Sequence, residues 1–438
     1  AIGGITNKLS QLVENRNNEK EISTGINELK NHHQSICVSL GLDLHDNLNK
    51  IWSDLNKLLS QNTQISEDEL KDEVLSVGEI VSSQIISGHL NQIGISSNPL
   101  DARKLLITDD HFGNAFVHYQ RSFNRIRTSL KDVKRVQVVT GFIGATDDGR
   151  TTTLGRSGSD YSAAIIGAAV NASEIQIWTD VDGILTADPV SVENAKTISH
   201  LNYEEAMELA HGGAKVIFPP TMIPALYKNI PIRIKNTFNS EHEGTLITKQ
   251  KIDTMENAVG ISSRSGVCLF RLQGAGMIGL FGLIGRIFTS LASQKINIIL
   301  VSQVFSEHSV CFVINSDHAK KAENLLKKEF EFELNNHIID KILVEKEMSL
   351  IALVGEGMRH IPGISGKLFK TLGREKINVI AIAQGSSERN ISFIVDDHAS
   401  IKTMRVLHHE FFDKKKQTTA IILAGAGVVG TEVLNILN

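Results

Sequence analysis

Apolar residues recur every three to four positions in IWSDLNKLLSQ (51–61) and again through EDELKDEVLSVGEIVSSQIISGHLNQIG (67–94). That is the period of helices with one buried face, and residues 8 to 135 read as mostly helical, with few strands. The texture changes between Val136 and Ile247. Short β-rich runs, VQVVTGFIG, IQIWT and IPIRIKN, alternate there with Gly-rich loops and with helical stretches such as DYSAAIIGAAVNAS, the pattern of a layered α/β domain. The polar segment TKQKIDTMENAVG (248–260) reads as the way out of that domain.

Beyond it the chain repeats itself. Shifted by 81 residues, GAGMIGLFGLIGRIFTSLASQKINIILVSQVFSEHSVCFVI lies without a gap on GEGMRHIPGISGKLFKTLGREKINVIAIAQGSSERNISFIV. Gly274, Gly276 and Met277 fall on Gly355, Gly357 and Met358, Asn297 on Asn378, and Gln303 on Gln384. Each copy reads strand, Gly turn, helix, strand, hairpin, strand, helix, so two small α+β modules of similar build are expected. The first copy is closed by a strand, KILVEKE, whereas the second runs on into TAIILAGAGVVGTEVLNILN. The second module is therefore expected to be short of one strand, shared between the two. In the closing segment, Gly425, Gly427 and Gly430 follow an apolar strand at G-x-G-x-x-G spacing, the opening turn of a dinucleotide-binding fold. The domain expectation is 1–250, 260–346, 347–416 and, incomplete, 417–438.

Length and charge narrow the partners. A chain of 438 residues holds two to four domains, and 45 Lys+Arg against 49 Asp+Glu leave a net charge of −4 with no basic footprint for nucleic acid or an acidic membrane. Small molecules are the expected ligands. Cys37, Cys268 and Cys311 lie far apart with no C-x-x-C pair, so neither a disulfide framework nor a zinc site is expected. No apolar run is long enough to span a membrane, and the start lacks the look of a signal peptide; a cytoplasmic location is expected.

The chemistry concentrates in GFIGATDDGRTTTLGRSGSDYSAAIIGAA (141–169). Glycines interleaved with Ser and Thr just before a helix start offer backbone N–H groups and hydroxyls to an anion. Arg156 adds a planar cation that grips a carboxylate at two points, and Asp160 opens the helix, where it either caps or faces a ligand amine. The plain alternative is a Gly-rich turn with Ser159 or Asp160 as the cap. WTDVDGILTADP (178–189) is a strand end with acidic turn residues, and in HGGAKVIFPPT (211–221) Lys215 is either a surface charge or a cation for a transferring phosphoryl group.

Together TTTLGRSGSD, TDVDGILTADP, GGAKVIFPPT and IKNTFNSEHEGTLI resemble the aspartate kinases of the amino-acid kinase superfamily, over nearly the whole chain. The paired repeats resemble their ACT regulatory modules, and AIILAGAGVVGTEVLNIL resembles the first strand and turn of the homoserine dehydrogenase fused to some of them. The resemblance implies a three-layer αβα kinase domain followed by two ferredoxin-like ACT modules, a region of a bifunctional aspartokinase–homoserine dehydrogenase. It implies transfer of the ATP γ-phosphoryl group to the β-carboxylate of L-aspartate, with Mg2+ on the phosphates and no metal ligand from the protein. By resemblance, Arg156 holds the substrate α-carboxylate and Glu79 and Asp160 face its amino group. Thr6, Phe142 and Ser159 line the pocket, Thr179, Asp180 and Asp182 meet the nucleotide, and Lys215 lies beside its phosphates. Asn297, Gln303, Asn378 and Gln384 match effector positions, with L-threonine the implied effector and a homodimer or homotetramer, formed through the ACT modules, the implied assembly. NADP(H) belongs only to the dehydrogenase. Two features depart from the family: the chain begins after the family's Lys-Phe-Gly-Gly loop, and Val190 stands where an Arg is usual. The competing readings are a regulatory fragment that binds effector without turnover, and a kinase for another acidic amino acid such as glutamate.

Overall fold

The computed structural model describes residues 1–60, 65–131, 133–213, 217–250, 257–277, 281–303 and 309–413. Four helices come first: α1 (Ile5–Glu14), α2 (Glu19–Ser39), α3 (His45–Ser60) and α4 (Glu67–Gln92). Their start signals are local. Asn18 accepts from the Glu21 N–H before α2, and Ser66 from the Glu69 N–H before α4, with acids in both first turns at the positive end of the helix dipole. Leu9, Ile22, Leu29, Trp52, Leu55 and Val74 belong to the apolar cluster that joins all four.

The helical texture breaks after α4, as residues 93–118 carry a strand and irregular chain rather than more helix. Strand β1 (Ser97–Leu100) pairs in parallel with β2 (Val136–Val139), and α5 (Tyr119–Leu130) lies between them in sequence. A hairpin of β3 (Ile143–Ala145) and β4 (Thr151–Thr153) leads to α6 (Gly158–Val170), then β5 (Ile175–Thr179), β6 (His200–Asn202), α7 (Tyr203–His211), α8 (Pro219–Lys228), β7 (Ile232–Asn236) and β8 (Thr245–Thr248). The sheet order is β5-β7-β8-β6, with β5 parallel to β7, β6 parallel to β8, and β7 antiparallel to β8. Ala164 and Ala168 of α6, Tyr203 of α7, and Met222 and Ala225 of α8 pack with Ile177 and Ile232 of the sheet in one core. A reciprocal capping box between Asn202 and Glu205 starts α7, and Pro219 with Pro220 starts α8.

The repeats build one six-stranded sheet. In chain order its members are β9 (Gly260–Gln273), α9 (Leu283–Ser293), β10 (Ile298–Gln303), β11 (Ser309–Asn315), α10 (Ala319–Glu329), α11 (Glu331–Asn335), β12 (Lys341–Val354), α12 (Ile364–Arg374), β13 (Ala381–Gln384), β14 (Asn390–Asp396) and α13 (Asp397–His408), the strand order being β10-β11-β9-β12-β14-β13. The two 14-residue strands β9 and β12 pair antiparallel from Gln273↔Lys341 to Gly260↔Val354, with irregular register around Met348. The later half of β9 pairs with β11 and the start of β12 in the first module. Its earlier half, Gly260–Arg264, pairs with Leu350–Val354 in the second. The strand that the second repeat lacks is thus supplied from ahead of the first repeat. The sheet ends come back together: Ser302 Oγ of β10 donates to the Ile382 carbonyl of β13 at 3.3 Å, and Val267, Leu300, Val313, Leu350 and Ile394 share an apolar cluster.

Candidate active site

The Gly141–Phe142 turn and the start of α6 press against each other. A Cβ at Gly141 would lie 2.9 Å from the Ser159 Cβ, and one at Gly158 2.7 Å from the Phe142 ring. Phe142 and Ser157 both adopt left-handed backbone, φ 69° and 53°, a strained state for residues with side chains. Phe142 is held there by its N–H donating to Ser162 Oγ and its carbonyl accepting from the Leu154 N–H. Its ring packs both on the cluster under α1–α4 and on the one around α5 and α6, so it sits where the helical and layered parts meet.

The candidate residues lie in different settings. Glu79, in mid-α4, is buried. Thr6 is half-buried in the first turn of α1. Arg156 is exposed, with its guanidinium carbon 6.0 Å from the centre of the Phe218 ring. Asp160 is half-buried in the first turn of α6, and burial pushes its carboxyl above the usual range. Neither it nor Ser159 caps the helix; Ser157 holds the cap position, and its side chain makes no capping bond.

The threonine run departs from expectation. Instead of offering hydroxyls to an anion, Thr151–Thr153 form a buried strand. Thr151 Oγ1 accepts from Arg103, Thr152 shares a hydrogen bond with Thr108, and Thr153 donates through Oγ1 to Asp72. Asp72, buried in α4, also accepts from the Gly113 and Thr153 N–H groups at 2.8 Å. Hydroxyls in a three-residue hairpin strand are drawn into the scaffold, while Arg156 and Ser159 stay exposed. Asp72 gave no sequence signal, being one helical acid among several.

Thr179, Asp180 and Asp182 lie at the carboxyl end of β5, next to the end of β7, where ligands of open α/β sheets bind. Asp182 accepts from Asn236 Nδ2 at 2.8 Å and Asn239 Nδ2 at 3.0 Å, and these bonds hold its carboxyl below the usual range. The side chains of Trp178 and Phe238 are exposed at this edge. Flat aromatic faces beside amide and carboxylate groups fit a nucleotide. The two asparagines were legible only as part of the quoted IKNTFN stretch. Lys215 lies outside the described residues, as do Gly425, Gly427 and Gly430.

An opening of about 110 Å3 is lined by Arg156, Ser157, Ala210, His211, Ile217, Phe218, Pro219 and Arg264. Asn297, Gln303, Asn378 and Gln384 are exposed along or just before β10 and β13, the strands that meet at the sheet ends.

The description "amino acid kinase family" matches residues 3–236, more than half of the chain, and "ACT domain" matches residues 270–330 and 351–411. Aspartokinase 1 of Arabidopsis thaliana is 32% identical over 432 residues, which cover 94% of this chain and 74% of that protein. The chain belongs to the aspartokinases of the amino acid kinase family. A bifunctional aspartokinase/homoserine dehydrogenase of Haemophilus influenzae is 36% identical over 84% of the chain and 45% of its own length, and one from Zea mays 33% identical over 99% and 49%. The chain thus spans about half the length of these bifunctional relatives. Among solved structures, E. coli aspartokinase III in complex with aspartate and ADP aligns with a TM-score of 0.78 at 28% identity, over 94% of this chain and 92% of that one. The aspartate kinase of Clostridium acetobutylicum aligns at 0.79 and 26%, over 93% and 89%. The amino acid kinase fold followed by ACT domains is therefore present, as the resemblance implied.

Proposed function

We propose that this chain carries an aspartate kinase reaction, with the L-aspartate β-carboxylate attacking the γ-phosphorus of ATP to give 4-phospho-L-aspartate and ADP. The observation that carries the reading is a pair of unlike charges at one turn. Arg156 and Asp160 are four residues apart, and among the described residues neither has a hydrogen-bond or ion-pair partner. Together they complement the α-carboxylate and α-ammonium of an amino acid. Glu79 supports the same reading as a buried carboxylate in mid-α4. The attacking carboxylate is ionised at neutral pH, so the side chains need only position it and exclude water. Thr6, Phe142 and Ser159 would bound the pocket, and Thr179, Asp180 and Asp182 would meet the nucleotide. Lys215 would neutralise phosphate charge, and ATP brings Mg2+ on its phosphates.

Regulation through the ACT modules follows from the same family membership. Asn297, Gln303, Asn378 and Gln384 would contact an amino-acid effector where β10 meets β13. L-Threonine is favoured by the likeness to the dehydrogenase-fused relatives. Lysine, which accompanies aspartate in a T-state structure of E. coli aspartokinase III, is the competitor. Homoserine dehydrogenase activity with NADP(H) is proposed for the whole protein on the likeness to the bifunctional relatives.

Hydroxylamine trapping of acyl phosphate, with ATP, Mg2+ and either aspartate or glutamate, tests the reading. Aspartate-dependent product that falls with threonine is expected. Product with glutamate alone would shift the substrate, inhibition by lysine alone would shift the effector, and effector binding with no product would leave a regulatory fragment.

A further inference from the structure

Resting on the kinase reading above, we propose that Arg264, carried by the first regulatory strand, is a substrate-positioning residue that shares the acidic amino acid's carboxylate with Arg156. The kinase pocket would then be complete only while the regulatory sheet is docked.

Three observations converge on it. Arg264 and Arg156 line the same opening of about 110 Å3, a volume suited to a carboxylate group. Among the described residues neither guanidinium has an ion-pair or hydrogen-bond partner, and like charges facing one small opening repel unless an anion lies between them. His211, at the end of α7, adds an imidazole to the same wall.

The backbone places Arg264 there by a specific device. Along β9 and β12 the pairing steps from Leu350↔Arg264 to Met348↔Val267, three residues against two, with Gly266 at φ 71°. A bulge of this kind bends a strand and re-aims a side chain. Arg264 is the last residue before it. On the facing side, Gly212 and Gly213 let α7 approach β9 to a distance that no side chain would tolerate: a Cβ at Gly213 would fall 2.1 Å from the Ser263 carbonyl oxygen, and one at Gly212 1.9 Å from Ser262 Oγ.

The same helix is tied to the second module. Glu205 Oε1 accepts from the Glu356 N–H at 2.8 Å, and Asn390 Nδ2 donates to Glu208 Oε2 at 2.5 Å. A displacement of the regulatory sheet against α7 therefore moves Arg264 relative to Arg156. An effector that favours the displaced arrangement weakens substrate binding in proportion to its preference for that arrangement.

Calorimetric titration of the full chain with L-aspartate, and separately with ATP, tests this in wild type, Arg264→Ala and Arg264→Lys, alongside steady-state kinetics and thermal unfolding. Expected for Arg264→Ala is about a tenfold rise in Kd and KM for aspartate, from loss of a charge-assisted bond. The Kd for ATP, kcat and the unfolding midpoint should stay near wild type, and Arg264→Lys should recover part of the affinity. Unchanged aspartate affinity, or a loss confined to ATP, would overturn the role of Arg264 and leave the kinase reading intact. A folded wild type that binds no aspartate would overturn both.

Discussion

Arg156, in the turn before α6, and Asp160, in its first turn, leave each other unpaired, which suits a site waiting for a zwitterion. Burial raises the Asp160 carboxyl above the usual Asp range, so it takes up a proton at a higher pH than an exposed Asp. Only its ionised form attracts an ammonium. The KM for aspartate is therefore expected to rise as the pH falls through that raised pKa, and in Asp160→Asn this acid limb should vanish while KM is high at every pH. A pH series of initial rates at saturating ATP checks both. The sequence nominates these two residues because Gly, Ser and charge crowd a short stretch. Thr151–Thr153 sit in the same stretch and misled, because a hydroxyl's use depends on whether its strand is buried. Arg264 was invisible, since nothing local distinguishes an arginine in a regulatory strand from any other. Its meaning comes from a bulge and from two glycines some fifty residues earlier in the chain.

Among the elements, α7 and β9 approach closely where Gly212 and Gly213 follow the helix. Gly213→Ala puts a methyl group against the Ser263 carbonyl at a residue whose φ is 125°, so both crowding and backbone strain oppose it. A loss of about 2 kcal/mol in stability is expected, together with blunted effector inhibition; urea denaturation read beside inhibition curves would show it. The helices, the alternating layer and the repeat were all readable, because periodicity and self-similarity are properties of the chain alone. The pairing of Gly260–Arg264 with the second module was not. A strand's partner is chosen by the whole sheet, and here the chain runs through the entire first module before the pairing closes.

For the molecule as a whole, the exposed apolar residues Phe281 and Phe288 on the first module fit the assembly through the ACT modules that the sequence resemblance implies. Light scattering is expected to give at least twice the 48.0 kDa chain mass, and a monomer at every concentration would refute it. The interlocked pair β9 and β12 also bears on how the protein is made. Gly260 leaves the ribosome well before Val354, its partner. At about 5–20 residues per second, the roughly 90 intervening residues leave the first half of β9 without its sheet neighbour for several seconds. In a growing polypeptide that is an open invitation to pair with the wrong strand, so a nascent chain stalled short of the end of β12 should be the species that most needs a chaperone.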